Sequence, residues 1–178
     1  MSFARVRALV VVGVLVVFAL VFVIVALVRD TQGGGTTAKG CPQGYVLANV
    51  ALREAKDVKI NVYNATNQPG LATGVGADFA NRKFQVLKSG NDPLKKGVDD
   101  VAILRYGPKG VGSAHLLRAY FLDKANGDYD PNRKDDVVDV VIGNAFQQLA
   151  TTTEVNQSLG EIGRPVLPPN TCAAPENG

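Results

Sequence analysis

Histidine occurs once in this sequence, at His115, cysteine twice, at Cys41 and Cys172, and tryptophan not at all. One histidine and two cysteines cannot close a Cys/His zinc site without borrowed ligands. A Ser-His-Asp triad would have to use His115, and Ser113 nearby supplies no orienting context for it. The bland reading of His115, a core or surface histidine on a helix, is preferred, and the chain is not expected to be an enzyme. An excess of one charge is also missing from most of the chain. From Cys41 onward 15 Lys and Arg balance 15 Asp and Glu, so the net +3 comes from Arg5, Arg7, Arg29 and Lys39 against Asp30. That excludes the basic face that nucleic-acid binding requires.

Charge of either sign is absent from residues 8–28, together with proline and amide side chains. A helix of that length spans about 30 Å, the thickness of a bilayer core. A soluble helix is seldom apolar on every side. Residues 8–28 are therefore expected to be a transmembrane helix. Arg5 and Arg7 in the tip 1–7 set the N-terminus in the cytoplasm and the remainder outside. The run exceeds the apolar core of a cleaved signal peptide, and no Ala-x-Ala ends it. The localisation implied is the cell membrane, single-pass, with the C-terminal domain outside the cytoplasm.

Residues 29–40 are Gly/Thr-rich and read as a flexible linker. Cys41 opens the outer region and Cys172 nearly closes it. On the oxidising side of a membrane these two are expected to form one intramolecular disulfide, against the alternatives of free thiols or an intermolecular bridge.

Residues 41–57 are a lead-in with a mildly apolar stretch, 45–52, expected as a short helix. Val58 to Tyr63 alternates as a half-buried strand. Asn64 to Gly70 is turn chemistry. Leu71, Val75 and Phe79 share a helix stripe ending near Arg82 and Lys83. Phe84 to Leu87 is a second strand, followed by a loop at 89–93. Val101 to Tyr106 is a third strand, read as central. Ala114, Leu117 and Phe121 mark a second helix. Residues 123–136 read as a polar loop, Val137 to Ile142 as a fourth strand and 145–149 as a helical turn. The rest, 150–178, is a Pro/Thr-rich tail tied back by the disulfide. The order β-α-β-β-α-β predicts an α+β, two-layer, ferredoxin-like sandwich with both helices on one face.

Val58–Asn64, Pro69-Gly70-Leu71-Ala72, Phe84-Gln85-Val86, Val101 to Gly107 and Val137 to Gly143 form an ordered set that resembles the LytR C-terminal domain family. The resemblance covers 58–149. Ala65 departs from it, standing where the family favours glycine, which puts the tight turn after the first strand in question. Only about 30 residues separate Val28 from Val58, so the LytR-CpsA-Psr phosphotransferase domain that precedes this domain in some members is not expected. The resemblance implies a stand-alone, anchored actinobacterial member with a non-enzymatic role in the cell envelope or cell wall.

Other chemistry is weaker. Asn126, Asp128, Asp130 and Asn132 alternate like a calcium loop, but Pro131 and Val137 stand where Gly and Glu belong. Gly70, Gly74 and Gly76 follow a strand without the G-x-G-x-x-G spacing. Asp99-Asp100 and Asp135-Asp136 read as solvated turn ends. No cofactor and no metal are expected. The candidate binding surface is the turn at the helix start, Asn64, Thr66, Asn67 and Gly70. The expected partner is a cell-wall polymer. The alternative is an envelope protein, with the chain acting as scaffold or recruiting subunit for an enzyme such as a LytR-CpsA-Psr phosphotransferase.

Overall fold

The computed structural model describes residues 13, 15–21 and 41–173. The chain divides into two units, Met1–Lys39 and Gly40–Gly178. In the first, residues 13 and 15–21 are helical and the apolar side chains of Leu15, Val16, Val17, Phe18, Leu20 and Val21 are exposed. Among the described residues no helix is long and apolar enough to cross a membrane. The rest of the span expected at 8–28 and all of the linker at 29–40 lie outside the described residues.

The second unit is a mixed α+β domain. Its strands are β1 (Val46–Ala48), β2 (Lys59–Asn64), β3 (Gln85–Asn91), β4 (Ala102–Tyr106), β5 (Ala125–Tyr129), β6 (Val138–Ile142) and β7 (Thr171–Ala173). Its helices are α1 (Leu71–Asn81), α2 (Val111–Tyr120) and α3 (Thr152–Ile162). The main sheet has five strands in the order β3-β2-β6-β4-β5, and β1 pairs with β7 in a separate two-stranded ribbon.

Two βαβ units build the main sheet. β2 and β3 are parallel neighbours, as are β4 and β5. β6 lies between the units, parallel to β2 and antiparallel to β4. This corrects the ferredoxin-like expectation, in which each βαβ unit is split by an inserted strand. The inserted strand here separates the two units. β6 takes the centre because Val138, Val140, Val141 and Ile142 are buried on both faces, the pattern of an interior strand.

Alternation sets the two faces. Ile60, Val62, Ala102, Leu104, Val138, Val140 and Ile142 meet Ala72, Val75 and Phe79 of α1 and Ala114 and Leu117 of α2 in one core. The helices touch each other as well, with the Phe79 ring 5.8 Å from Tyr120 and 6.2 Å from Phe121. Both helices therefore lie on one face of the sheet, and Lys59, Asn61, Tyr63, Arg105 and Asp139 lie on the other.

Several expected irregular stretches are ordered. The polar loop at 123–136 contains β5, Ala-Asn-Gly-Asp-Tyr, an edge strand held by five register pairs to β4. Residues 45–52, expected as a helix, contain β1 instead. β3 continues through Asn91, into the expected loop. Residues 145–149 form no helix, only a turn at Asn144 and Ala145. The Pro/Thr-rich stretch contains α3, opened by a capping box in which the Thr151 and Glu154 side chains each serve the other's backbone. Cys41 and Cys172 are joined in a disulfide with Cα atoms 5.7 Å apart, beside the β1–β7 ribbon.

Candidate functional site

The turn after β2 is held by one asparagine. Asn64 is 7% exposed. Its Oδ1 accepts from the Thr66 amide at 2.9 Å and from Thr66 Oγ1 at 2.8 Å, and its Nδ2 donates to the Gln68 carbonyl at 2.6 Å. Thr66 Oγ1 in turn accepts from the Gln68 amide at 3.0 Å. Gly70 follows at φ +77°, a left-handed conformation that glycine adopts without strain, and α1 begins there with no side-chain cap. Ala65 fits where glycine was expected because the turn is closed by side chains, and among the described positive-φ residues Ala65 does not appear.

Asn64 and Thr66 thus serve the turn. Asn67 is exposed, and no hydrogen bond of its side chain is found among the described residues. Facing the turn is the segment after β3. Asp92, 3% exposed, receives a bidentate pair from Arg105, with Nη1 at 2.6 Å and Nη2 at 3.1 Å. Arg105 stands on β4, so this pair ties the end of β3 to a strand three places away in the sheet, across β2 and β6. Burial alone would push the Asp92 carboxyl up, but the Arg105 hydrogen bonds and charge hold it below the usual value. Lys95, at φ +51°, closes a turn back to the Asp92 carbonyl at 3.0 Å.

Together these segments line an open concavity of about 250 Å³, bounded by Asn64, Ala65, Thr66, Asn67, Asn91, Asp92, Lys95, Lys96 and Gly97. Of the four sequence-predicted surface residues it gathers Asn64, Thr66 and Asn67 and leaves Gly70 outside. Asn91, Lys95 and Lys96 escaped the sequence reading. The Lys95-Lys96 pair was visible, but only the parallel pairing of Asn64 with Asn91 brings it to the turn.

The helix-free face of the sheet carries a second polar array. Register places Lys88, Asn61, Asp139, Arg105 and Asp128 in one rung across all five strands. Asn61 Nδ2 donates to Asp139 Oδ1 at 2.7 Å, and Arg133 Nη1 donates to Asp139 Oδ2 at 2.8 Å. Asp139 in the middle of the rung is thus held from both sides, by Asn61 and by Arg133. His115 is 4% exposed, and its Nε2 lies 2.9 Å from the Gly163 carbonyl. That contact requires the Nε2–H tautomer, and burial holds the imidazole below its ordinary value. Asp128 and Asn126 lie on β5, not in a calcium loop. Among the described residues no group of His, Cys, Asp or Glu is placed to hold a metal ion.

The fold and site define a disulfide-closed, mixed α+β domain whose polar concavity opens at the ends of two parallel strands. A family described as LytR cell envelope-related transcriptional attenuator, the LytR C-terminal family, matches residues 57–146, half of the chain, and the chain belongs to it. The cell envelope integrity protein Cei of Mycobacterium tuberculosis is 26% identical over 118 residues, 65% of this chain and 54% of that protein. The chain thus spans about half the length of that curated relative. The crystal structure of the soluble domain of a conserved hypothetical secreted protein from Mycobacterium marinum is similar, with a TM-score of 0.54 and 25% identity over 60% of this chain and 72% of that one. These likenesses place the chain with envelope-associated proteins.

Proposed function

We propose that the chain is a membrane-anchored, non-catalytic binding module that works outside the cytoplasm and supports envelope integrity by contacting a cell-wall polymer. The observation that carries this reading is the Cys41–Cys172 disulfide, which belongs to an oxidising compartment, where the wall also lies. The uncharged stretch 8–28 supports the anchor, and the family and the integrity protein support the envelope role. The commitment of His115 to Gly163 and of Asp139 to Asn61 and Arg133 supports a role without catalysis.

The test is co-sedimentation of the full-length protein, in neutral detergent, with purified cell wall before and after removal of its anionic glycopolymer. Binding to the intact wall is expected. Failure to bind either preparation would sink the reading. Crosslinking in native membranes separates it from the scaffold role. Glycan adducts support the wall module, whereas a single protein adduct with no glycan would favour recruitment of an envelope enzyme.

A further inference from the structure

The concavity beside the turn has a composition that selects a ligand. It lies at the carboxyl ends of the parallel strands β2 and β3, at Asn64 and Asn91. In open sheets with parallel strands, ligands bind outside the carboxyl ends. Its polar groups divide into two sets. Asn64, Thr66 and Asp92 are consumed by the fold, the last neutralised by Arg105. The exposed amides of Asn67 and Asn91 and the exposed ammonium groups of Lys95 and Lys96 remain, all of them donors. With Asp92 paired, no lining carboxylate opposes the two lysines. That is a local charge of +2 in a domain whose charges sum to zero.

From this we infer that the concavity binds a phosphate ester of a sugar or polyol, an inference that rests on the reading of the chain as a wall-facing module. The lysines meet the phosphate as compact point charges, and the asparagine amides meet the neighbouring hydroxyl groups. The only apolar side chain in the lining is Ala65, so an apolar ligand gains nothing there. A volume of about 250 Å³ suits one such unit and not an extended glycan.

The experiment titrates full-length, isotope-labelled protein in neutral detergent micelles with glycerol 3-phosphate, using glycerol as the uncharged control. Saturable shifts are expected at the backbone amides of 65–67 and 91–97, absent with glycerol and weakened by salt. Lys95→Gly combined with Lys96→Ser should weaken binding about tenfold or more, since two charged donors are lost. Lys95→Gly relieves a left-handed backbone, so the variant is not expected to fail by unfolding. Lys109→Ser, on an exposed lysine outside the lining, should bind as the parent does.

Equal shifts with glycerol, or unchanged affinity in the double variant, would overturn the inference. Nanodiscs of phosphatidylglycerol and phosphatidylcholine separate the sources of the ester. Competition of anionic nanodiscs by the free ester supports a shared phosphate site, while binding to nanodiscs alone makes the surface a lipid contact and rejects the proposal. A double variant that loses the ester yet still sediments with wall removes this pocket from wall contact and leaves the module reading standing. A parent protein that binds the ester but no wall does the reverse.

Discussion

The two βαβ units of the sheet have the same order and connection, yet their helices sit in different surroundings. α1 buries Ala72, Val75, Gly76 and Phe79, one stripe against the sheet, and leaves its outer side to solvent. α2 buries eight of its ten residues, including Gly112, Ser113 and His115. The difference lies in what covers the outer side of α2. The Gly112 amide donates to Asn49 of the lead-in, His115 meets Gly163 beyond α3, and Ala150 donates to the Tyr120 carbonyl. Ala119, Ala150 and Val155 form a second small core there. These covering segments, 41–56 and 147–173, flank the residues that match the family, 57–146. The flanks are therefore structural parts of this domain, and the disulfide joins one flank to the other. The uncovered first unit carries the concavity.

The largest effect should come from cutting the flanks apart. Cys41→Ser with Cys172→Ser opens a loop of 131 residues, which the chain-entropy argument values at about 5 kcal/mol. Chemical denaturation of parent and variant measures the loss. If the flanks stabilise α2, hydrogen exchange in the variant should rise first at 111–120 and later at 71–81. Equal acceleration in both helices would break the comparison.

A glycine gives the next test. A Cβ on Gly112 would lie 2.0 Å from the Ala51 carbonyl oxygen, which is backbone and cannot swing away. Gly112→Ala should therefore cost about 1–3 kcal/mol by overpacking. A thermal or denaturant melt that shows no destabilisation would mean that the lead-in does not hold its place against α2.

Acidification should act on the covered unit before the rest. The His115 value lies below its ordinary 6.5 because the ring is buried. The unfolded chain takes up that proton as pH falls through about 6.5 while the folded chain resists, so stability is full above 6.5 and is lost below it. Asp92, depressed from 3.8 chiefly by Arg105 against the opposing effect of burial, shows the same sign at lower pH. Its contribution is present above 3.8 and is lost as pH falls through its lower folded value. His115→Gln should flatten the stability profile between pH 7 and pH 5 and leave the acid limb intact. A profile unchanged by the substitution would place the titration elsewhere.

Much of this contrast was hidden in the sequence for physical reasons. β2 declared itself because Ile60 and Val62 alternate with Lys59, Asn61 and Tyr63, and α1 because its stripe is clean. The disulfide was legible because two cysteines allow one intramolecular pairing. β5 was not legible. Ala-Asn-Gly-Asp-Tyr has weak strand propensity, and its place comes from pairing with β4. α3 was masked by Thr152, Thr153 and Gly160, although Thr151 and Glu154 had the spacing of a capping box. The strand order, and with it the approach of Lys95 and Lys96 to Asn64, depends on long-range pairing that no local pattern encodes.

The smallest effect carries the sharpest form of the comparison, because the same substitution should change sign between the two helices. Gly74 sits inside α1 on its exposed side, and a Cβ there would meet nothing within 4 Å. Glycine in a helix interior is less stable than alanine by about 0.5–1 kcal/mol, since it loses more backbone freedom on folding. Gly74→Ala should therefore raise stability by about that amount, while Gly112→Ala lowers it. Chevron analysis of both variants measures the two signs in one experiment. A destabilising Gly74→Ala would mean that the outer side of α1 is covered in solution, and the two units would then differ less than their burial suggests.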